Sequence, residues 1–220
     1  LSADLHLSDR PKDNARWGLF PWLASQQAKH NVTATYLLGD LTENKDKHSA
    51  TLVNRLVDEL IGLRPPIYIL RGNHDGIDPT NPYFRFLSTI EGVHFIIEPT
   101  QIGDVAFIPH CRSQAEFDQA CEIIDPHTKM VLLHNTFDGA IAEASGARLT
   151  GLRASLVSQK ARAATLVAGD IHKPQRLANG ITYIGAPYQV RFGDDFTPRV
   201  LLIANGKERN LCYPAPRKWT

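Results

Sequence analysis

Asp4, His6, Asp40, Asn73, His74, His134, Asp170 and His172 follow one another along the chain, each at or just past the end of an apolar run. Carboxylates, a carboxamide and imidazoles are the groups that ligate divalent cations. Asp4 and His6 stand two residues apart, so in an extended strand they share a face and can grip one ion, and Asp170 and His172 repeat the spacing. Asp40 follows Leu37-Leu38-Gly39, where glycine permits close backbone approach and leaves a carboxylate able to bridge two ions. Asn73 offers a neutral carbonyl oxygen and His134 an imidazole. These seven ligands are expected to hold two divalent cations about 3.5–4 Å apart, which would clamp a phosphate and activate a water for attack on phosphorus. His74 adjoins a ligand and should point differently from it, toward substrate, where it is expected to donate a proton to the leaving oxygen.

Singly, these signals are weak. Asp-x-His pairs are common on surfaces, Gly39-Asp40 alone is a turn, and a lone His134 would be an ordinary core histidine. Gly72-Asn73-His74-Asp75 is more specific, because it packs turn-type and ligand-type residues directly behind a strongly apolar strand. The ordered series at successive strand ends carries the metal reading, since strand ends are where open α/β sheets gather ligands.

The elements that must position these groups are legible as apolar runs. Ala34 to Leu38, Ile67 to Leu70, Val93 to Ile97, Val105 to Ile108, Met130 to Leu133 and Thr165 to Ala168 are predicted strands. Arg16 to Lys29, with Gly18 and Pro21 able to delay its start, His48 to Ile61 and about Ser113 to Ile123 are predicted helices. Leu52, Val53, Leu56, Val57 and Leu60 give the second its apolar face, and Gly62 stops it. The Pro79 to Pro82 stretch is predicted as loop. After Asp170 the pattern changes to short strands, Ile181 to Ile184, Val200 to Ile203 and Asn210 to Tyr213, with Asn179-Gly180 and Asn205-Gly206 as hairpin turns. Alternating β and α elements followed by hairpins imply a mixed sheet, or two stacked sheets with helices outside.

A chain of 220 residues is expected to form one domain, residues 1–220, or at most one domain with a small appendage. Its apolar runs are too short for a membrane span and no leader or lipidation signal is visible, so a cytoplasmic location is expected. Cys111, Cys121 and Cys212 are odd in number and widely spaced, which fits reduced core thiols. Only three residues precede Asp4, too few for the strand that should deliver it, so further residues are expected ahead of Leu1. The net charge of +1 makes no global case for nucleic acid, but from Ser145 to Arg199 eight basic residues face three acidic ones.

Asp4-Leu5-His6, Gly39-Asp40, Gly72-Asn73-His74-Asp75, His134 and Gly169-Asp170-Ile171-His172 resemble the motif series of the calcineurin-like metallophosphoesterase superfamily across nearly the whole chain. The resemblance implies an α/β fold, a four-layer α/β/β/α sandwich with two mixed sheets. It also implies that Asp4, His6, Asp40 and His172 hold one ion, with Asp40, Asn73, His134 and Asp170 holding the other. The superfamily has histidine where Asp170 stands. The extra carboxylate is expected to favour manganese or magnesium over zinc or iron, or to be a non-ligand that leaves the second site weak.

Ile171-His172-Lys173-Pro174-Gln175, Gly185-Ala186-Pro187-Tyr188-Gln189-Val190-Arg191-Phe192-Gly193-Asp194 and Pro214-Ala215-Pro216-Arg217-Lys218 resemble SbcD-type DNA-repair nucleases. That resemblance implies a manganese-dependent nuclease acting on DNA ends or single strands, partnered by an SbcC-type ATPase. The basic excess agrees with phosphate-backbone binding. Those nucleases continue into a capping domain that helps recognise DNA ends, whereas this sequence stops at Thr220, so the resemblance leaves end preference and processive duplex degradation open. Lys45 and His48, in the loop after Asp40, are expected near a phosphate, with His48 the stronger catalytic candidate of the two, and Arg71 is a further substrate-binding candidate. His110 and Arg112 follow an apolar strand without matching any motif. Ser2 to Ser8 also resembles the start of UDP-diacylglucosamine hydrolases, but no apolar lid insertion accompanies it. A protein phosphatase reading lacks the expected G-D-x-x-D-R-G pattern. A catalytically weak scaffold subunit binding DNA or an ATPase is the remaining alternative.

Overall fold

The computed structural model describes residues 1–142, 145–204 and 206–217. Strands β1 (Thr35–Leu37), β2 (Ile67–Leu70) and β3 (Val93–Ile96) form a parallel sheet in that order. The larger sheet contains β4 (Thr100–Ile102), β5 (Val105–Ile108), β6 (Met130–His134), β7 (Thr165–Gly169), β8 (Gln175–Arg176) and β9 (Thr182–Tyr183), in the order β4-β5-β6-β7-β9-β8. It is mixed, since β4 and β8 pair antiparallel with their neighbours while β5, β6, β7 and β9 run parallel.

The antiparallel hairpin of β10 (Val200–Ala204) and β11 (Lys207–Leu211) reaches the smaller sheet through the N-terminal stretch. Leu201 N–H donates to the Leu1 carbonyl, and Ser2 N–H donates to Tyr36. The smaller sheet is thereby mixed as well. The hairpin's second strand begins at Lys207, earlier than the predicted Asn210, because Ala204 pairs directly with Lys207 across the turn. Asn205 of the predicted Asn205-Gly206 turn lies outside the described residues, as does Lys218.

Alternation along the strands builds the layers. In β5, Ala106 and Ile108 face one core while Val105 and Phe107 face another; in β6, Val131 and Leu133 oppose Leu132; in β7, Leu166 and Ala168 oppose Val167. The first set packs under helices α3 (Gln114–Ala120) and α4 (Ser155–Lys160) through Phe117 and Val157. The second set meets Leu38, Leu70 and Ile96 of the smaller sheet. On that sheet's outer face, Ile67 and Ile69 pack with Leu19, Phe20 and Leu23 of α1 (Leu19–His30) and Leu52, Leu56 and Leu60 of α2 (Ala50–Ile61). The result is the α/β/β/α sandwich. Truncating one of these buried leucines should cost about 2–5 kcal/mol.

Local chemistry sets the helix ends. Ser49 caps α2 by accepting from Leu52 N–H at 3.0 Å. The helical run predicted from Arg16 starts earlier, as a 3₁₀ turn over Pro11–Gly18 that passes into α1. Pro11 suits that first turn because it has no amide hydrogen to satisfy. Cys111 and Cys121 are buried as expected, but Cys212 is exposed, so it is not a core thiol. No helix of the described residues is long and apolar enough to cross a membrane.

Candidate metal centre

The predicted ligands leave their strands in an unusual conformation. Asp4, His6, Asp40 and Asp170 have φ of 54°, 43°, 53° and 87°. Left-handed backbone at a non-glycine residue costs on the order of 1–3 kcal/mol, and it is kept where surrounding structure enforces it. The expectation that Asp4 and His6, or Asp170 and His172, share one face of an extended strand is therefore corrected: Asp4 and His6 lie outside any strand, and the backbone is left-handed at Asp4, His6 and Asp170. Two glycines make room for the cluster. A Cβ on Gly39 would lie 2.3 Å from His134 Nδ1, and one on Gly72 would lie 2.2 Å from Asp40 Oδ1.

The structure brings the ligand types together. Ligand atoms of Asp4, His6 and His172 lie within 4.8 Å of one another, as do those of Asp4, Asp40 and His134, and those of His6, Asp40 and His74. His6 Nε2 is 3.6 Å from Asp40 Oδ2 and 3.1 Å from His172 Nε2. His134 Nε2 is 3.3 Å from Asp40 Oδ1 and 3.9 Å from Asp170 Oδ1. Asp40 thus stands between two halves, His6 and His172 on one side and His134 on the other. Asp170 lies a step further out, with Oδ2 accepting from Thr136 Oγ1 at 2.5 Å and its N–H donating to Asp4 Oδ1 at 3.0 Å.

Two features fit this donor set to cations. Asp4 Oδ2 is buried without a hydrogen-bond donor, an expensive state for a carboxylate oxygen that no cation meets. The Asn73 carboxamide lies 3.0 Å from both Asp40 carboxylate oxygens and 3.2 Å from His134 Nε2. With its nitrogen on that side, the amide donates to all three. With its oxygen on that side, the same side chain would serve as a neutral ligand to a cation held there.

Burial and neighbouring charge shape the titration of the cluster. Burial pushes the Asp4 carboxyl up to about 7. Burial also opposes charge on Asp40, but His134 beside it, by charge and hydrogen bond, holds Asp40 below the usual carboxylate range. In return, and against its own burial, His134 is lifted to about 10 by Asp40. His172 moves the other way, down to about 3, through burial, His6 and Arg191.

His74 joins the cluster, with a ring nitrogen within 4.8 Å of ligand atoms of His6 and Asp40. Its N–H donates to Asp40 Oδ1 at 2.8 Å, its Nδ1 is 2.9 Å from the Glu43 carbonyl oxygen, and its ring is 5.0 Å from that of His6. A carbonyl can only accept, so Nδ1 carries the hydrogen and Nε2 is left for other partners.

The substrate-contact expectations fare differently. Arg71 is buried and donates to the carbonyls of Ile97 (3.4 Å) and His110 (2.7 Å), a strut between strand ends instead of the substrate-facing side chain expected. The His48 ring packs on Tyr83 and Phe84, with centroids 4.4 and 4.7 Å away, and Nε2 lies 3.4 Å from the Lys45 carbonyl oxygen. Its contacts are with this aromatic patch and not with the donor cluster. Lys45 is exposed. His110, which matched no motif, sits with its ring 6.4 Å from that of His134, and burial with the nearby positive charge of His134 and Arg71 brings it down to about 4. Within the basic stretch, Lys160 pairs with Glu122 at 2.8 Å and Arg199 binds the Ile184 and Tyr183 carbonyls.

Sequence reasoning missed the groups that hold the cluster in place. Asp75, fully buried, accepts from the amides of Asp40 (2.9 Å), Leu41 (2.8 Å) and Gly72 (2.6 Å), locking the bridging carboxylate's loop to the Asn73 loop. Its place in Gly72-Asn73-His74-Asp75 was the available signal. Glu43 Oε2 approaches His6 Nδ1 at 3.4 Å, which turns Nε2 toward Asp40, and burial is outweighed by that contact so that Glu43 falls to about 2. Nothing about Glu43 distinguished it in sequence beyond its position three residues after Asp40.

A family model described as calcineurin-like phosphoesterase matches residues 2–142, a stretch that holds Asp4, His6, Asp40, Asn73, His74 and His134. Among curated proteins, none matches the chain.

Proposed function

The chain belongs to the calcineurin-like phosphoesterase family, and from that premise we propose that it is a phosphodiesterase whose substrate is DNA, as ends or single strands. Family membership supports metal-dependent hydrolysis of phosphoesters. The observation that carries the reading at this site is the convergence of Asp4, His6, Asp40, His134 and His172, with Asp40 standing between His6 on one side and His134 on the other. On this reading Asp4, His6, Asp40 and His172 hold one divalent cation, and Asp40, Asn73, His134 and Asp170 hold the other. The extra carboxylate at Asp170 supports manganese, with magnesium next. When bound, two such cations neutralise phosphate charge and supply a hydroxide nucleophile at neutral pH.

The chain's own residues do the remaining work. Asp75 fixes the Asp40 and Gly72 backbones, so the ligands need little rearrangement. His74, anchored through Nδ1 to the Glu43 carbonyl, presents Nε2 and in its protonated form donates to the leaving oxygen. The exposed Arg148, Arg153, Arg162, Arg176 and Arg191 of the basic stretch supply positive surface for a polyanionic strand. An SbcC-type ATPase partner belongs to the same proposal and awaits a binding experiment.

An activity panel with added manganese tests the reading, using single-stranded and duplex DNA, bis-p-nitrophenyl phosphate, p-nitrophenyl phosphate and a UDP-diacylglucosamine-like substrate. Hydrolysis of DNA and of the diester is expected. Turnover of the monoester alone would remove the nuclease assignment, and DNA binding without hydrolysis of anything would make the chain a scaffold. His74→Ala should lower kcat by about 10²–10⁴-fold with metal content unchanged. Because His74 also lies within ligand distance of His6 and Asp40, loss of metal in that variant would reassign it as a ligand.

A further inference from the structure

The segment from Gly185 to Val190 runs along the backs of the first ion's proposed ligands. A Cβ on Gly185, whose φ is +76°, would sit 2.6 Å from the His172 carbonyl oxygen, so the two backbones pass in direct contact. Ala186 N–H donates to that same carbonyl at 2.9 Å. Tyr188, buried, donates its hydroxyl to the Leu5 carbonyl at 2.5 Å, between Asp4 and His6. The Arg16 guanidinium then donates from Nη2 to the Val190 carbonyl at 2.9 Å and from Nη1 to the His6 carbonyl. The backbones of Val190 and His6 are therefore separated by the width of one guanidinium.

This tether is built to be rigid. Arg16 is buried and its charge is met by Asp13, also buried, at 2.9 Å. A buried pair of this kind is expensive to desolvate and fixes geometry more than it adds stability. Beyond Val190 the chain turns, and the buried Asp194 closes the turn by accepting from the amides of Val190 (2.8 Å) and Arg191 (2.7 Å). Gln189 Nε2 donates to the Asp194 carbonyl at 2.8 Å.

The tip of this doubly pinned turn carries Arg191 and Phe192. Both are exposed, and Phe192 at 66 % is the most exposed large apolar side chain of the described residues. Arg191 directly follows Val190, whose carbonyl shares the Arg16 guanidinium with the His6 carbonyl. The turn that displays the Phe192 ring is anchored to the backbone of His6. A guanidinium grips phosphate oxygens in its planar fork, and an exposed ring beside it can stack on any base without reading sequence.

We propose that Arg191 and Phe192 form a nucleotide-gripping finger at the edge of the first ion's site. Phe192 stacks on the base of the nucleotide whose phosphate occupies the metal centre, and Arg191 holds a phosphate oxygen of the same strand. The proposal deepens the nuclease reading and rests on it.

The test compares thymidine 5′-(p-nitrophenyl phosphate), which carries a base, with methyl p-nitrophenyl phosphate, which has the same leaving group and no second ring. Oligothymidylate and a UDP-sugar complete the panel. Phe192→Ala should lower kcat/KM for the thymidine ester and for oligothymidylate roughly tenfold through KM, leave the methyl ester unchanged, and be rescued by Phe192→Trp. Arg191→Glu should weaken oligothymidylate most. Fluorescence anisotropy of a labelled oligothymidylate in EDTA should show the same order without turnover, and circular dichroism checks that the variants fold. Unchanged ratios in both variants would overturn the finger while leaving the nuclease reading intact. A loss confined to the UDP-sugar would overturn its strand-binding form. An unmutated protein that cleaves neither diester overturns the nuclease reading itself and the finger with it, before any variant is made.

Discussion

The two halves of the donor cluster are held in place by different physics. On the His134 side, an imidazole lifted to about 10 sits 3.3 Å from Asp40, so an internal ion pair organises the ligands without a cation. On the other side, His6 and His172 face each other through Nε2 atoms 3.1 Å apart, and His172 is driven down to about 3. Two nitrogens at that distance share one hydrogen at most, so this half depends on outside supports: Glu43 behind His6, Arg16 on the His6 carbonyl, and Ala186 on the His172 carbonyl. One half is self-organised by charge, the other by scaffolding.

Asp40 belongs to both halves, and its loss should be the most severe. Asp40→Asn removes the bridging charge and the partner of His134, so we expect kcat to fall by more than about 10³-fold and bound metal to drop below one ion per chain, measured by elemental analysis. Retention of two ions would show that the halves are independent. Asp170→Ala tests the His134 side alone. Loss of one of two ions is expected, with the first retained; unchanged two-metal occupancy would remove Asp170 from the ligand set. The Asp170→His variant should shift the second ion's preference from manganese toward zinc.

The scaffolded half is tested through Glu43. Glu43→Gln keeps the size of the side chain and removes the charge that orients His6. It should weaken the first ion by roughly 10–100-fold while the second titrates as before. Equal weakening of both ions in isothermal titration would dissolve the distinction between the halves.

This contrast also separates what the sequence disclosed from what it did not. The ligand types were legible because each terminates a run such as Met130 to Leu133, whose residues are apolar on both faces of a strand buried between layers. The bounds of β5 match their prediction for the same reason. Gln175–Arg176 escaped notice because a two-residue polar strand has no periodicity to read. The left-handed bends at Asp4 and His6 were equally hidden, since no local residue choice demands them and tertiary packing imposes them. The scaffolding was least visible: Arg16 acquires its role only where Val190 returns beside His6, far along the chain. Charge-bearing ligands announce themselves by type, whereas their supports are ordinary residues made specific by distant contacts.

The smallest expected effect concerns protons, and it bears on the self-organised half. In the metal-free protein His134 is charged up to about pH 10, whereas an unfolded histidine titrates near its ordinary 6.5. A pKa raised by folding contributes stability that is complete below the unfolded value and is lost as pH rises through the folded one. The melting temperature in EDTA should therefore fall between pH 7 and 10, and saturating manganese should flatten that fall, because a metal ligand must be the neutral imidazole whatever the pH. By the same linkage, uptake of the second ion below pH 10 displaces a proton, and its affinity should rise about tenfold per pH unit for each proton released. His172, already neutral above about pH 3, adds no such slope. Calorimetric titration in buffers of different ionisation enthalpy measures the released protons directly. A second ion that binds with no proton release would mean that the Asp40–His134 pair does not organise its half, and that both sides of the cluster rest on scaffolding alone.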